Sequence, residues 1–308
     1  MKVVSYVAGV PSPHKNQKKI KILTDFSTGV NRANGDDVGI IHKGYDLIDS
    51  DIGVIQGWVH KDSPNMRHLN LRRNVATNTK NKKTIIIDSN LFNYEVGKDH
   101  FLHYSRYSLN GVFPTTGSYF TEIVNKNRWL GIFKDLNLKL KKERKKGNHI
   151  LICCQRNGGW SMKGLSVENW ILNTVKTLKK YTDRPIICRA HPGDKKASTY
   201  LRPNPNYNIS RNSTLVQDFQ NAWAVVTFNS SPGTAAAIEG LPVFVTDPVP
   251  KTSQAYEVAN VDLKNIEQPK FFDRIPWIES LAMCHWKNEE ILQGKAWTHF
   301  RQCIAETK

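Results

Sequence analysis

AWAVVTFNSSPGTAAAIEGLPVFV, Ala222 to Val245, decides how the rest of the chain is read. Ala222 to Phe228 is a short apolar run rich in β-branched residues, with the length of a buried strand. Gly233 to Glu239 is a small-residue helix closed at Gly240, and Pro242 to Val245 begins another strand. Between them lie Asn229, Ser230, Ser231 and Pro232. Ser231 suits the N-cap and Pro232 the first helical position. A strand that turns directly into a helix leaves unpaired N–H groups aimed at one spot, backed by the positive end of the helix dipole. Small residues here let an anion come close. The stretch reads as a phosphate seat, against the alternative of an ordinary capped helix.

Outward from this stretch the same alternation recurs. Val3–Val7, Val38–Ile41, Asp51–Trp58 and Lys83–Ile87 have strand character. Helices are expected around Ile20–Val30, over much of Pro64 to Thr77, and from Asn127-Arg128-Trp129. A second series runs through His149–Cys154, a helix from Ser166 with Trp170, Ile171, Thr174, Val175 and Leu178 on its inner stripe, then Ile186–Arg189. Strand, helix, strand, repeated, predicts α/β architecture with a parallel sheet and helices on both faces. The 308 residues suffice for two such domains. The basic run Lys139–Gly147 marks the expected boundary, giving domains 1–146 and 147–308. The C-terminal helical stretches Pro276–Cys284 and Glu289–Ala305 are expected to pack back on the first.

From Leu91 to Phe120 the alternation breaks. Tyr94, Phe101, Tyr104, Tyr107, Phe113, Tyr119 and Phe120 interleave with Gly, Asn and Ser. The aromatic content argues for order, and the segment is expected to be an insertion over the mouth of a cleft.

The formal charge is +17. Residues 1–150 hold 25 Lys+Arg and 13 Asp+Glu, a net of +12, and residues 151–308 hold 19 and 14, a net of +5. Such an excess suggests a polyanionic partner. No run approaches a membrane span and no signal peptide is expected of the strand-like N-terminus. The five cysteines show no metal-ligand spacing, and Cys153, Cys154 and Cys188 fall in apolar runs. A cytoplasmic protein with reduced thiols and no bound metal is expected.

In open α/β sheets ligands sit outside the carboxyl ends of the strands. Gln155 and Arg156 follow the first strand of the second domain, with Gly158-Gly159 allowing close backbone approach. Arg189 and His191 follow its second strand. Asn229, Ser230 and Ser231 follow the central one and Asp247 the last. A cation, an imidazole and paired hydroxyls at one sheet edge suit a phosphorylated ligand. An imidazolium there can stabilise a departing phosphate.

The motifs RAHPGD and NSSPG…EGLPVFV resemble the nucleotide-sugar half of GT-B glycosyltransferases, and more narrowly the His-Pro and Ser-Ser motifs of capsule, sialyl- and Kdo-type transferases. TIIIDSNLFNY, YSRYSLNG, the RW pair and HILICCQRNGGWSMKG are similar to bacteriophage glycosyltransferase-like proteins. The resemblance implies two Rossmann-like domains facing across a cleft, the donor on the C-terminal one and the acceptor on the N-terminal one. It implies metal-independent hexosyl or pentosyl transfer without a cofactor, from a nucleotide sugar such as a UDP-sugar. It implies that Arg189, His191, Ser230 and Ser231 hold the donor phosphate and that Gln155 and Arg156 reach the donor; Asn229 and Gly233 are further donor-binding candidates. The ribose-holding glutamate of many GT-B enzymes is missing, because that region is Ala235-Ala236-Ala237 and Glu239 comes later.

Transfer needs a base for the acceptor hydroxyl. Asp88 at a strand's carboxyl end is the first candidate, then Asp36 or Asp37. Tyr104, Arg106, Tyr107 and Asn110 are the candidate acceptor contacts. Charge and phage likeness together point to duplex DNA carrying 5-hydroxymethylcytosine, bound through its phosphates with the base flipped out onto aromatic rings. The alternatives are transfer to a surface polysaccharide or lipid-linked saccharide, a non-catalytic nucleotide- or nucleic-acid-binding relative, and an epimerase on the same fold.

Overall fold

In the computed structural model, residues 1–33, 35–59, 63–77, 81–94 and 104–306 are described. Among them the strands are β1 (Lys2–Tyr6), β2 (Val38–His42), β3 (Ser50–Gln56), β4 (Asn81–Ser89), β5 (Tyr104–Leu109), β6 (His149–Cys153), β7 (Ile186–Arg189), β8 (Asn208–Ile209), β9 (Ala222–Thr227), β10 (Val243–Val245), β11 (Ala259–Asn260) and β12 (His285–Lys287). The α-helices are α1 (Gln17–Arg32), α2 (Arg67–Thr77), α3 (Arg128–Asp135), α4 (Val167–Leu178), α5 (Ala197–Tyr200), α6 (Leu215–Phe219), α7 (Pro232–Ile238), α8 (Ile275–Met283), α9 (Asn288–Leu292) and α10 (Lys295–Glu306). The chain forms two α/β units: of the described residues, 1–90, 104–129 and 278–306 belong to the first, and 91–94 and 130–277 to the second, so the divisions fall after Asn90, inside α3 and inside α8.

The first unit has a sheet of order β12-β5-β4-β3-β1-β2. β2, β1, β3 and β4 are parallel, while β5 runs antiparallel to both β4 and β12. Both faces are covered, so its central strands read as continuous apolar runs rather than alternating ones. Ile85, Ile86 and Ile87 are all buried. Leu23, Phe26 and Val30 recur along α1 and form its buried stripe. Phe26 stacks on Tyr107 and Phe300, and Phe120 lies 4.1 Å from Phe300 between ring centroids. α10 thus completes the core of the first unit with Trp297 and Phe300.

The expected insertion over a cleft is corrected here. Part of that segment is β5, a sheet member, and Phe113, Tyr119 and Phe120 are buried. Phe101 lies outside the described residues. Rings this apolar gain more from the core than from solvent exposure.

The second unit has a fully parallel sheet, order β11-β10-β9-β6-β7-β8. Ser166 caps α4, accepting the Asn169 N–H at 3.4 Å, and the expected stripe of Trp170, Ile171, Thr174, Val175 and Leu178 is buried. The basic run before β6 is not a free linker. The Lys141 N–H donates to the Ile238 carbonyl at 2.9 Å and the Arg144 N–H to the Gly240 carbonyl at 2.7 Å. Those are carbonyls at the end of α7, which the helix cannot satisfy itself. The run therefore belongs to the second unit.

Gly240 closes α7 with φ +81°. The Leu241 N–H reaches the Ala236 carbonyl at 2.9 Å and the Gly240 N–H the Ala237 carbonyl at 3.2 Å, a Schellman ending. A Cβ at Gly240 would lie 2.1 Å from the Lys142 carbonyl oxygen. Gly240→Ala is expected to cost about 2–3 kcal/mol from the left-handed backbone and the collision together. Urea unfolding measures it, and a loss under about 0.5 kcal/mol would mean the basic run does not press on this turn.

Candidate functional site

The carboxyl ends of β10, β9, β6 and β7 lie side by side in the second unit, in that order. Asp247 follows β10 with its side chain 0 % exposed. Its Oδ atoms accept the Lys163 ammonium at 2.8 Å each, and Oδ2 accepts Thr252 Oγ1 and Asn229 Nδ2 at 2.7 Å. The Val249 N–H reaches Oδ1 at 3.0 Å. Burial pushes the Asp247 carboxyl up, but Lys163 and the bonds from Thr252, Val249 and Asn229 outweigh it and hold the group below the ordinary carboxylate range.

The network continues through the loop after β6. Gln155 is buried, its Nε2 donating to Ser161 Oγ at 2.6 Å while its Oε1 accepts the Asn229 N–H at 3.1 Å. Asn229 Nδ2 also donates to the Ser161 carbonyl at 3.2 Å. Gln155 therefore fixes the loop to the β9 end and does not reach outward as expected. Lys163 sits in this loop at φ +52°. Sequence reasoning missed Lys163, Ser161 and Thr252. A lysine between Met162 and Gly164 in a glycine-containing loop after a strand was the available signal.

Arg189 is also corrected. Its guanidinium pairs with buried Asp218 and donates to the Asn212 and Ser213 carbonyls at 3.0 and 3.2 Å. Asp218 needs that cation because a buried lone carboxylate is costly. Gly233 is a packing position: a Cβ there would lie 3.3 Å from Val243 Cγ1 and 3.4 Å from Ala255 Cβ. Ser231 makes no cap, since its backbone is already helical and its hydroxyl accepts no N–H. α7 has seven residues, so its dipole is short.

Other expected groups remain open. Arg156 is exposed and pairs with no carboxylate among the described residues. His191 Nδ1 accepts the Gly193 N–H at 3.0 Å, which leaves the ring proton on Nε2. Burial lowers the His191 pKa, Asp194 opposes this and Arg156 adds to it. The ring is thus a neutral Nε2–H donor at pH 7, where the sequence suggested an imidazolium. The Ser230 hydroxyl is buried without a partner, as are Asn229 Oδ1, Thr227 Oγ1 and Thr234 Oγ1. Buried unpaired polar atoms are rare and need an explanation; of these four, Ser230 alone belongs to a residue that keeps some exposure. The strand ends bearing His191 and Ser230 are not neighbours, because β6 runs between β7 and β9. Two strand spacings separate them, roughly 10 Å.

In the first unit Asp88 lies at the carboxyl end of β4, as expected. Its Oδ2 accepts Arg106 Nη2 at 2.6 Å and its Oδ1 the Ser89 N–H at 2.7 Å. Three acceptor candidates are corrected. Arg106 is 4 % exposed and spent on Asp88; Tyr107 is 1 % exposed, in the core against Phe26. Asn110 closes the other end of the sheet, its Oδ1 accepting the Thr84 N–H at 2.8 Å. Tyr104 is buried, with the Lys287 ammonium 5.6 Å from its ring centroid. Asp36 and Asp37 precede β2 and so lie at the amino edge of the sheet. Asp37 is bound to the N-terminal ammonium, Trp297 Nε1 and Arg301 Nε. Glu239 is buried and bonded to Lys141 Nζ at 2.5 Å and Tyr94 Oη at 3.1 Å. No described group of three or more His, Cys, Asp or Glu could hold a metal ion. No helix among the described residues is long and apolar enough to cross a membrane.

No protein-family model and no curated protein matches this sequence. Among solved structures it is similar to Thermosulfurimonas dismutans KpsC, beta Kdo 2,4 transferase, with a TM-score of 0.55 and 13 % identity over 92 % of this chain and 90 % of that one. KpsC, beta Kdo 2,7 transferase, from the same organism, matches with a TM-score of 0.50 and 14 % identity over 97 % of this chain and 99 % of that one. The fold is α/β of the GT-B type, with two Rossmann-like units.

Lys163→Met strands the Asp247 carboxylate and is expected to cost about 2 kcal/mol at pH 7, less than a fully buried pair because Lys163 keeps some solvent. Asp247 has a lowered folded pKa, so its contribution is complete above the unfolded value near pH 4 and fades as pH falls through the folded one. The deficit of the variant should shrink between pH 5 and pH 3 in urea melts. A pH-independent deficit would mean that the ion pair is not formed.

Proposed function

We propose that this protein is a glycosyltransferase that takes a nucleotide sugar, a UDP-sugar first among candidates, on its second unit and a hydroxyl acceptor on its first. The observation that carries this is the placement of Arg156, which has no ion pair among the described residues, the His191 Nε2–H and the Ser230 hydroxyl after three adjacent strands, β6, β7 and β9, along one carboxyl edge of a GT-B fold. Each is a donor, and together they suit a diphosphate. In the transfer, the bond from the anomeric carbon to the phosphate oxygen breaks as the acceptor oxygen bonds that carbon. Arg156 and His191 stabilise the charge that collects on the departing nucleotide. Asp88 takes the acceptor proton, using a lone pair that Arg106 and Ser89 leave free. Arg189 supports the site from behind through Asp218 rather than by touching the donor.

For the acceptor, a saccharide is favoured over DNA. Base flipping calls for exposed aromatic rings, and Tyr104, Tyr107, Phe113, Tyr119 and Phe120 are buried. The structural relatives are described as Kdo transferases, which suits a surface polysaccharide or lipid-linked saccharide. The net +12 of residues 1–150 is what supports duplex DNA carrying 5-hydroxymethylcytosine as the second reading.

A panel of nucleotide sugars, incubated with oligosaccharides or with hydroxymethylated DNA and followed by mass spectrometry, tests both. Acceptor-dependent consumption of one donor is expected, and His191→Ala should lower kcat about 100-fold. Nucleotide binding with no turnover on any acceptor would identify a non-catalytic binder. Free sugar released without an acceptor would identify an epimerase.

A further inference from the structure

Lys15, Lys18 and Lys19 crowd the start of α1, and no acidic residue occupies its first turn. Cations there oppose the positive end of the helix and repel one another. Lys21 has a partner in Asp25, but Lys15, Lys18 and Lys19 form no ion pair with any described residue. A sequence that breaks a local rule without compensation marks a functional place.

All three lysines line a cavity of about 310 Å³ at the carboxyl edge of the first sheet, with Gln56, Asp88 and Ser105 among its other walls. Asp88, the one carboxylate among the described lining residues, already has Arg106 as counter-ion and so does not offset the lysine charge. Behind Gln56 lies another positive charge. Arg72 is 9 % exposed, donates to the Gln56 carbonyl at 2.8 Å and the Gly57 carbonyl at 3.3 Å, and has no ion pair among the described residues. Its Nε is buried without a partner. The volume lies near the bottom of the range for ligand sites, about 300–1,000 Å³. It suits a sugar-sized group and not a duplex.

We propose that this cavity is an anion-recognising acceptor subsite, taking a sugar that carries a carboxylate or a phosphate ester. Lys15, Lys18 and Lys19 hold the anionic group, while Gln56 and Ser105 offer hydrogen bonds to neutral hydroxyls. Asp88 shares the cavity, so the same binding presents a hydroxyl to the proposed base. The anionic group itself does not react. The proposal rests on the reading of the first unit as the acceptor-binding one.

The test is calorimetric titration of the full chain with glucuronic acid, glucose 6-phosphate and glucose, at 20 and 200 mM salt. At least one charged sugar should bind tenfold or more tighter than glucose, and should weaken several-fold at the higher salt. Whichever binds tells carboxylate from phosphate. The triple variant Lys15→Gln, Lys18→Gln, Lys19→Gln should lose at least tenfold in that affinity while its melting temperature holds or rises, since the like charges no longer strain α1. Equal affinity for glucose, unchanged binding by the variant, or binding of a duplex oligonucleotide but neither charged sugar overturns the subsite. UDP titrated into the same samples reports on the second unit. Acidic-sugar binding without UDP binding sinks the transfer reading and leaves the anion site standing, and the opposite pattern does the reverse.

Discussion

The Asp247 carboxylate is the charge on which the second unit's candidate site depends. It is wholly buried, and it survives as an anion because Lys163, Thr252, Asn229 and the Val249 N–H all donate to it. Through Asn229 it sets the end of β9, and through Lys163 it anchors the loop after β6. Gln155 then bridges that loop back to β9. Three strand ends are tied together by groups that never need to touch a ligand. On the same two segments the Ser230 hydroxyl is left unpaired, and Arg156 is exposed with no ion pair among the described residues. A site of this kind is preorganised: its supporting hydrogen bonds are satisfied internally, and its working groups do not have to be ordered when a substrate arrives.

The first unit solves a different problem. Its sheet carries an antiparallel β5 between β4 and β12, and its core is closed by rings from three distant stretches, Phe26, Tyr107 and Phe300. Tyr107 and Phe120, from the aromatic segment, go into that closure. Asp88 and Arg106 oppose each other across β4 and β5, so the carboxylate at the sheet edge comes with its own buried cation. This leaves Lys15, Lys18 and Lys19 as the net charge of the cavity's described walls. A basic half-chain is therefore not one diffuse surface: part of the excess converges on a volume of sugar size.

Much of the architecture was legible. The apolar runs of β1, β3, β4, β6 and β9 read correctly because strands covered on both faces need no alternation. The Gly240 stop was legible because only a left-handed backbone ends α7 in that way. The site was legible by position and less so by role. Gln155, Arg189 and Gly233 are all near the sheet edge, yet each is consumed by neighbours that the fold brings up: Ser161 and Asn229, Asp218, and the Val243–Ala255 wall. Arg106 and Tyr107 look like exposed polar and aromatic contacts in YSRYSLNG, and alternation cannot show that β5 is covered on both sides.

What the sequence alone determined was the repeated strand–helix alternation, the turn at Asn229 to Gly233, and the uneven charge, since these follow from local periodicity, turn chemistry and composition. The tertiary structure decided which polar groups remain open. A hydroxyl, imidazole or guanidinium is available only if no partner from elsewhere satisfies it, and such partners are brought together by sheet order. β6 inserted between β7 and β9 is the clearest instance. It parts His191 from Ser230, which lie on strands consecutive among the motif-bearing ones, and it puts Gln155 between them.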